Sequence, residues 1–205
     1  MNTVYCDLDG TIIDVYDRYL GIINDYLNRN NVRNISRESY IRLKMTSLKD
    51  HEIIFNLTGF TINIDEYLIF KRAELEKKER LKQDYLICDP HKIKEELLQH
   101  GYRFVLLTLR NNITNCLEQL DWLNIRNAFD DIFIVQKIVG KNPKTECIRN
   151  ISSPGDFIIG DSDIDMKCAD DLRIGRYFVR TGLFNLEEYP QAANINEAIE
   201  KICFR

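Results

Sequence analysis

The sequence predicts an α/β protein: a doubly wound parallel sheet with helices on both faces, carrying a small α-helical unit inserted after the first strand. Three observations carry that prediction. Short continuous apolar runs (VYC, FVLL, DFIIG, RYFVR) alternate with helical-period segments from residue 86 onward, and continuous runs suit parallel strands covered on both faces. Strand, helix, strand in succession demands right-handed crossovers in an open sheet. Between Asp14 and Tyr85 the period is helical throughout, so that block is a separate helical layer. The expected division is residues 1–14 with 86–205 as the sheet-bearing core and 15–85 as the helical unit.

Each element follows from local pattern. Val15, Tyr19, Ile22, Ile23, Tyr26 and Leu27 form one helical stripe, closed by the polar run NRNNVRN. A second helix can begin near Ser36. Ser47 with Asp50 reads as the cap of a third, and Asn63 with Glu66 as that of a fourth, long and charged. Asp89 followed by Pro90 starts the first core helix and Gly101 stops it. The remaining helices are those of Ile113–Leu123, KTECIRNI and DIDMKCADDL, with FDDIFIV as the strand between the first two.

Composition excludes several classes. With 28 basic against 32 acidic residues, a net charge of −4 exerts no pull toward nucleic acid or an anionic membrane. No segment approaches the ~18 consecutive apolar residues of a membrane span, and the start MNTVYCDLDG has no leader pattern. Six cysteines, none in a CxxC pair, read as reduced core residues. The expected setting is cytoplasmic and the expected state a monomer or homodimer.

In a doubly wound sheet the reactive residues collect beyond the carboxyl ends of the strands. Those residues here are Asp7 and Asp9 after VYC, Thr108 after FVLL, and Asp161 with Asp165 after DFIIG, while Lys141 and Lys144 precede the KTECIRNI helix. Residues i and i+2 of a strand share a face, so Asp7 and Asp9 leave on one side. Two carboxylates ~4 Å apart repel by roughly 4 kcal/mol at an effective dielectric of about 20. A divalent cation relieves that repulsion, and an oxygen-only ligand set favours Mg²⁺ over Zn²⁺. GDSDID is not a calcium loop, because Met166 and Leu172 stand where a glycine and a bidentate glutamate are needed.

The ordered set CDLDGT, LLTLRNN, a lysine in GKNPKTECI, and IGDSDIDM resembles the haloacid dehalogenase superfamily of phosphohydrolases over nearly the whole chain, with a Rossmann-like core and a helical cap closing on the active site. The resemblance implies that Asp7 is the nucleophile, forming an aspartyl phosphate, and that Asp9 is the general acid and base. Asp rather than Tyr at position 9, followed by Gly10 and Thr11, points to phosphoryl transfer and away from carbon–halogen hydrolysis.

By the same resemblance Mg²⁺ would be held by Asp7, the Asp9 main-chain carbonyl, Asp161 and Asp165. The phosphoryl group would be bound by Gly10, Thr11, Thr108, Leu109 and a lysine, either Lys144 before its helix or Lys141 in a KPxP-like position. Arg42 and Lys44 are candidate substrate contacts in the cap, with Arg18 and Arg110 as further candidates. The implied activity is Mg²⁺-dependent hydrolysis of a small phosphorylated metabolite. The same residues would serve a phosphomutase, or a non-catalytic phosphate-binding or regulatory protein. A signalling receiver domain shares the chemistry but lacks both the helical insertion and GDSDID.

Overall fold

A computed structural model describes residues 1–204. Its main sheet contains β1 (Asn2–Cys6), β4 (Tyr102–Leu109), β5 (Asp131–Val135), β6 (Phe157–Gly160), β7 (Gly175–Val179) and β8 (Gln191–Ala192), all parallel, in the spatial order β5-β4-β1-β6-β7-β8. A separate antiparallel pair, β2 (Ile13–Asp14) and β3 (Tyr85–Leu86), joins the two stems of the helical insertion. The two-residue β8 lacks a periodic signal in the sequence, which is why the RYFVR strand reads there as the last.

Side-chain alternation along each strand divides the core into two layers. Val4, Cys6, Phe104, Leu106 and Ile159 face α6 (Pro90–Gln99), α7 (Ile113–Trp122) and α10 (Ile195–Cys203). Tyr5, Val105, Leu107 and Ile158 face α8 (Pro143–Ile148) and α9 (Asp163–Leu172). Full burial of such side chains is worth about 1.5–3 kcal/mol each, so every strand is held from both sides. That is the physical content of the unbroken apolar runs.

The insertion consists of α1 (Tyr16–Arg29), α2 (Arg37–Lys44), α3 (Asp50–Thr58), α4 (Ile64–Glu74) and α5 (Lys78–Leu81). Ser36 and Asn63 cap α2 and α4 through their side chains. Ser47 does not cap α3. It sits in the left-handed region at φ 64° and donates its hydroxyl to the Asn185 carbonyl, while α3 starts at Asp50 with the Lys49 N–H bonded to Glu52 at 2.7 Å.

Asp50 is the insertion's electrostatic centre, taking Lys44 at 3.1 Å, Lys71 at 2.5 Å and the Tyr67 hydroxyl at 2.9 Å. Burial pushes its carboxyl up, but Lys71 and Lys44 outweigh that and hold it at about 2. Asp50→Ala strands two ammonium groups, and we expect a loss of about 3 kcal/mol of stability in urea unfolding. A loss under about 1 kcal/mol would show the pairs to be incidental.

Candidate active site

The central strands β4, β1 and β6 end side by side, and their carboxyl ends deliver Thr108, Asp7 and Asp161 to one rim. Beyond β1 the chain turns sharply: the N–H groups of Thr11, Ile12 and Ile13 all point to the Leu8 carbonyl, and Gly10 N–H bonds to Ile13. Gly10 is at φ 71°, where an L side chain is strained, and a Cβ there would meet Asp161 and the Gly182 backbone. The glycine of DLDG is thus required both by the turn and by the close approach of Asp161.

Asp7, Asp9, Thr108, Leu109, Lys144 and Asp161 line one cavity of about 200 Å³, together with Tyr19, Leu183 and Phe184. The Lys144 ammonium lies between two carboxylates, 2.8 Å from Asp7 Oδ1 and 2.5 Å from Asp165 Oδ1. Burial would lower the Lys144 pKa, but Asp165 and Asp7 together hold it above the usual lysine value. Asp165 has its other oxygen on the Ser162 hydroxyl at 2.5 Å. Asp161 accepts the Leu183 N–H at 3.0 Å and packs where Cβ atoms on Gly10 and Gly182 would stand.

Burial raises Asp7 to about 6 against the pull of Lys144. Asp161 is driven well above the carboxylate range, first by burial and then by Asp7 and Asp165. Asp9 goes the other way. Burial pushes it up, but Arg110 and Arg18, one on each oxygen, hold it below the ordinary value. Two aspartates two residues apart at one strand end therefore differ in acidity by virtue of their partners.

Asp7, Asp161 and Asp165 each offer an oxygen within 4.8 Å of the others. The Asp9 side chain is outside this group, turned to the arginines. Of the other residues expected to bind phosphate, Gly10 and Thr11 form the turn behind the cavity, and the buried Thr11 hydroxyl has no hydrogen-bond partner among the described residues.

The lysines separate clearly: Lys144 is 1% exposed in the site, whereas Lys141 is exposed and paired with Glu146 at 2.9 Å. Lys144→Met is expected to reduce turnover about 100-fold or more by leaving the site carboxylates without their counter-charge, and Lys141→Met to stay within about twofold; steady-state rates on one substrate decide it, and equal effects would reject the assignment.

Neither Arg42 nor Lys44 lines this cavity. Arg42 is exposed on α2, and Lys44 is spent on Asp50 and the Leu48 carbonyl. A larger hollow of about 500 Å³ lies between α4 and the start of α7. There Glu76 caps the Asn111 and Asn112 N–H groups, so that surface is a satisfied helix junction.

The family model of haloacid dehalogenase-like hydrolases matches residues 4–179. The chain belongs to this hydrolase family. Solved structures share the fold at low sequence identity. A haloacid dehalogenase-like family hydrolase from Streptococcus pneumoniae aligns over 100% of this chain and 99% of its own, with TM-score 0.70 and 16% identity. A predicted phosphatase from Clostridium acetobutylicum covers 100% and 99%, with TM-score 0.67 and 18% identity. Protein Tyrosine Kinase A from Mycobacterium tuberculosis covers 98% and 97%, with TM-score 0.70 and 18% identity. No curated protein matches the chain.

Proposed function

We propose that this protein is a Mg²⁺-dependent phosphatase that hydrolyses a small phosphomonoester through an aspartyl phosphate on Asp7. The observation that carries the reading is the single cavity lined at once by a lysine-paired carboxylate, Asp7, and a second carboxylate, Asp9, held by two guanidinium groups. In the first step an Asp7 oxygen attacks phosphorus, the ester P–O bond breaks, and the departing alkoxide takes a proton that the ester's monoanion brings in and Asp9 relays, since Arg110 and Arg18 keep Asp9 itself ionised in the free site. In the second, Asp9 removes a proton from water, the hydroxide oxygen bonds to phosphorus, and the bond from phosphorus to Asp7 breaks to free phosphate. Thr108 and the Leu109 backbone would hold the phosphoryl oxygens, and Lys144 would offset their charge.

The buried all-oxygen group fits a hard cation. Asp7, Asp161 and the Asp9 carbonyl would hold Mg²⁺, with Asp165 behind them. Bound there, the ion would supply the positive charge that lets a carboxylate approach a phosphate. Helices α1–α5 would act as the cap that excludes water and reads the leaving group. A cavity of about 200 Å³ suits a small metabolite rather than a macromolecule. Six unpaired cysteines suit a reducing, cytoplasmic setting.

Phosphate release from a panel of metabolite monoesters with Mg²⁺, and Asp7→Asn as control, tests the reading. No release from any member, with interconversion of sugar phosphates instead, would replace hydrolysis by phosphoryl transfer between hydroxyls.

A further inference from the structure

The buried groups behind Asp9 form a closed ring. Arg18 Nη2 meets Asp9 Oδ2 at 2.7 Å, and Arg18 Nε lies 3.2 Å from Asp84 Oδ1, an ion pair without hydrogen-bond geometry. Asp84 Oδ2 accepts from Gln119 Nε2 at 2.7 Å, Gln119 Oε1 accepts from Arg110 Nη2 at 3.2 Å, and Arg110 Nη2 closes the ring on Asp9 Oδ1. Arg18, Asp84, Arg110 and Gln119 are at most 6% exposed. Asp9 alone opens to the cavity, its side chain 26% exposed.

Burying three charged groups against a fourth that is only partly exposed is an expensive way to stabilise a fold, since packed apolar side chains usually do as well or better. What the ring achieves that apolar packing cannot is to fix a carboxylate by both oxygens from two directions. Its members also come from both sides of the insertion: Arg18 from α1, Asp84 from the chain returning to β3, Arg110 from the end of β4 and Gln119 from α7. Any displacement of α1–α5 against the sheet must pull on Asp9.

We infer that Arg18 and Arg110, held by Asp84 and Gln119, are positioning residues that set the direction of the Asp9 carboxylate and so couple proton transfer at the leaving group to the seating of the helical insertion. The assignment rests on the acid–base role proposed for Asp9. Proton transfer by a placed group contributes about 10²–10⁴-fold, and in the first step its loss is felt only where the leaving group needs a proton, whereas the attack of water in the second step is common to all esters.

The test compares an alkyl phosphate with p-nitrophenyl phosphate, whose phenolate leaves unprotonated. Gln119→Leu and Arg110→Lys are expected to slow the first step, read as the pre-steady-state release of the alcohol, about 10- to 100-fold for the alkyl ester and to leave the pre-steady-state burst of p-nitrophenolate within about threefold, the same selectivity as Asp9→Asn, while steady-state turnover, which includes the attack of water, falls on both esters. Arg18→Met is expected to do the same if it folds; Gln119→Leu touches neither Asp9 nor substrate and carries the test if it does not. Equal losses in the first-step rate on both esters, or none, would overturn the inference. Crystal structures of Gln119→Leu and Arg110→Lys give a readout independent of activity. The Asp9 side chain is expected to leave its present orientation, and an unmoved Asp9 overturns the positioning role even if the wild-type protein proves to release no phosphate.

Discussion

Asp7→Asn is expected to abolish phosphate release, by at least about 10⁴-fold, the scale on which removal of a covalent nucleophile is felt. The amide matches the carboxylate in shape, and Lys144 keeps Asp165 at 2.5 Å, so neither packing nor the ammonium is disrupted. What disappears is the attacking oxygen and one negative charge in a site where burial has already raised Asp7 to about 6. In metal-free protein above that pH the charged Asp7 opposes folding, so the variant should melt no lower than wild type, and above it near pH 8. A dead enzyme with an undiminished melting temperature separates loss of chemistry from loss of fold. Activity within tenfold of wild type would remove Asp7 from the reaction.

The strand-end carboxylates were legible because their signal is local. Continuous apolar runs mark buried parallel strands, their ends mark the reactive rim, and the spacing of Asp7 and Asp9 is the period of a strand. The lysine was less legible because Lys141 and Lys144 are three residues apart and only burial separates them. Yet a signal was present: Asn142 caps α8 with its side chain and Pro143 takes the first position, which puts Lys144 in the first turn and Lys141 outside the helix.

Arg18 and Arg110 read as candidate substrate contacts, and their true partners are out of reach of any local pattern. Arg18 pairs with Asp84, distant along the chain and itself raised to about 7 by burial despite Arg18. Lys44 is similar on a shorter scale, its charge taken by Asp50 through a helix whose cap the sequence places two residues early, at Ser47 rather than Lys49. Local periodicity finds elements and their ends; it does not find which buried charges were matched in folding.

Chelation of divalent metal is expected to remove activity altogether and to change how stability depends on pH. Asp7, near 6, Asp84, near 7, and Asp161, well above its ordinary value, all have raised folded-state acidities, chiefly from burial. A carboxyl with a raised folded pKa binds more protons folded than unfolded. Its contribution is therefore fully present below about 4, the unfolded value, and lost as pH rises through the folded one. The lowered carboxyls, Asp9, Asp50, Asp130, Glu146 and Glu197, have the opposite sign, but their contributions change only as pH falls below the ordinary carboxylate range of about 4 and Asp50's is spent near 2, so they leave the interval from 5 to 8 untouched.

In chelator the melting temperature should thus fall across that interval. Mg²⁺ binds the ionised site and only the folded chain, adding about 2.7 kcal/mol at one hundred times its dissociation constant, so it should restore stability most at pH 8 and least at pH 5. Asp84 lies outside the metal-ligand group, and its share of the decline should persist with Mg²⁺ present. Melting curves at pH 5, 6, 7 and 8, with chelator and with Mg²⁺, read all of this at once. A melting temperature that rises with pH in chelator, or that Mg²⁺ leaves unmoved at pH 8, would mean that Asp7 and Asp161 do not share an ion. Their mutual repulsion would then need a different explanation.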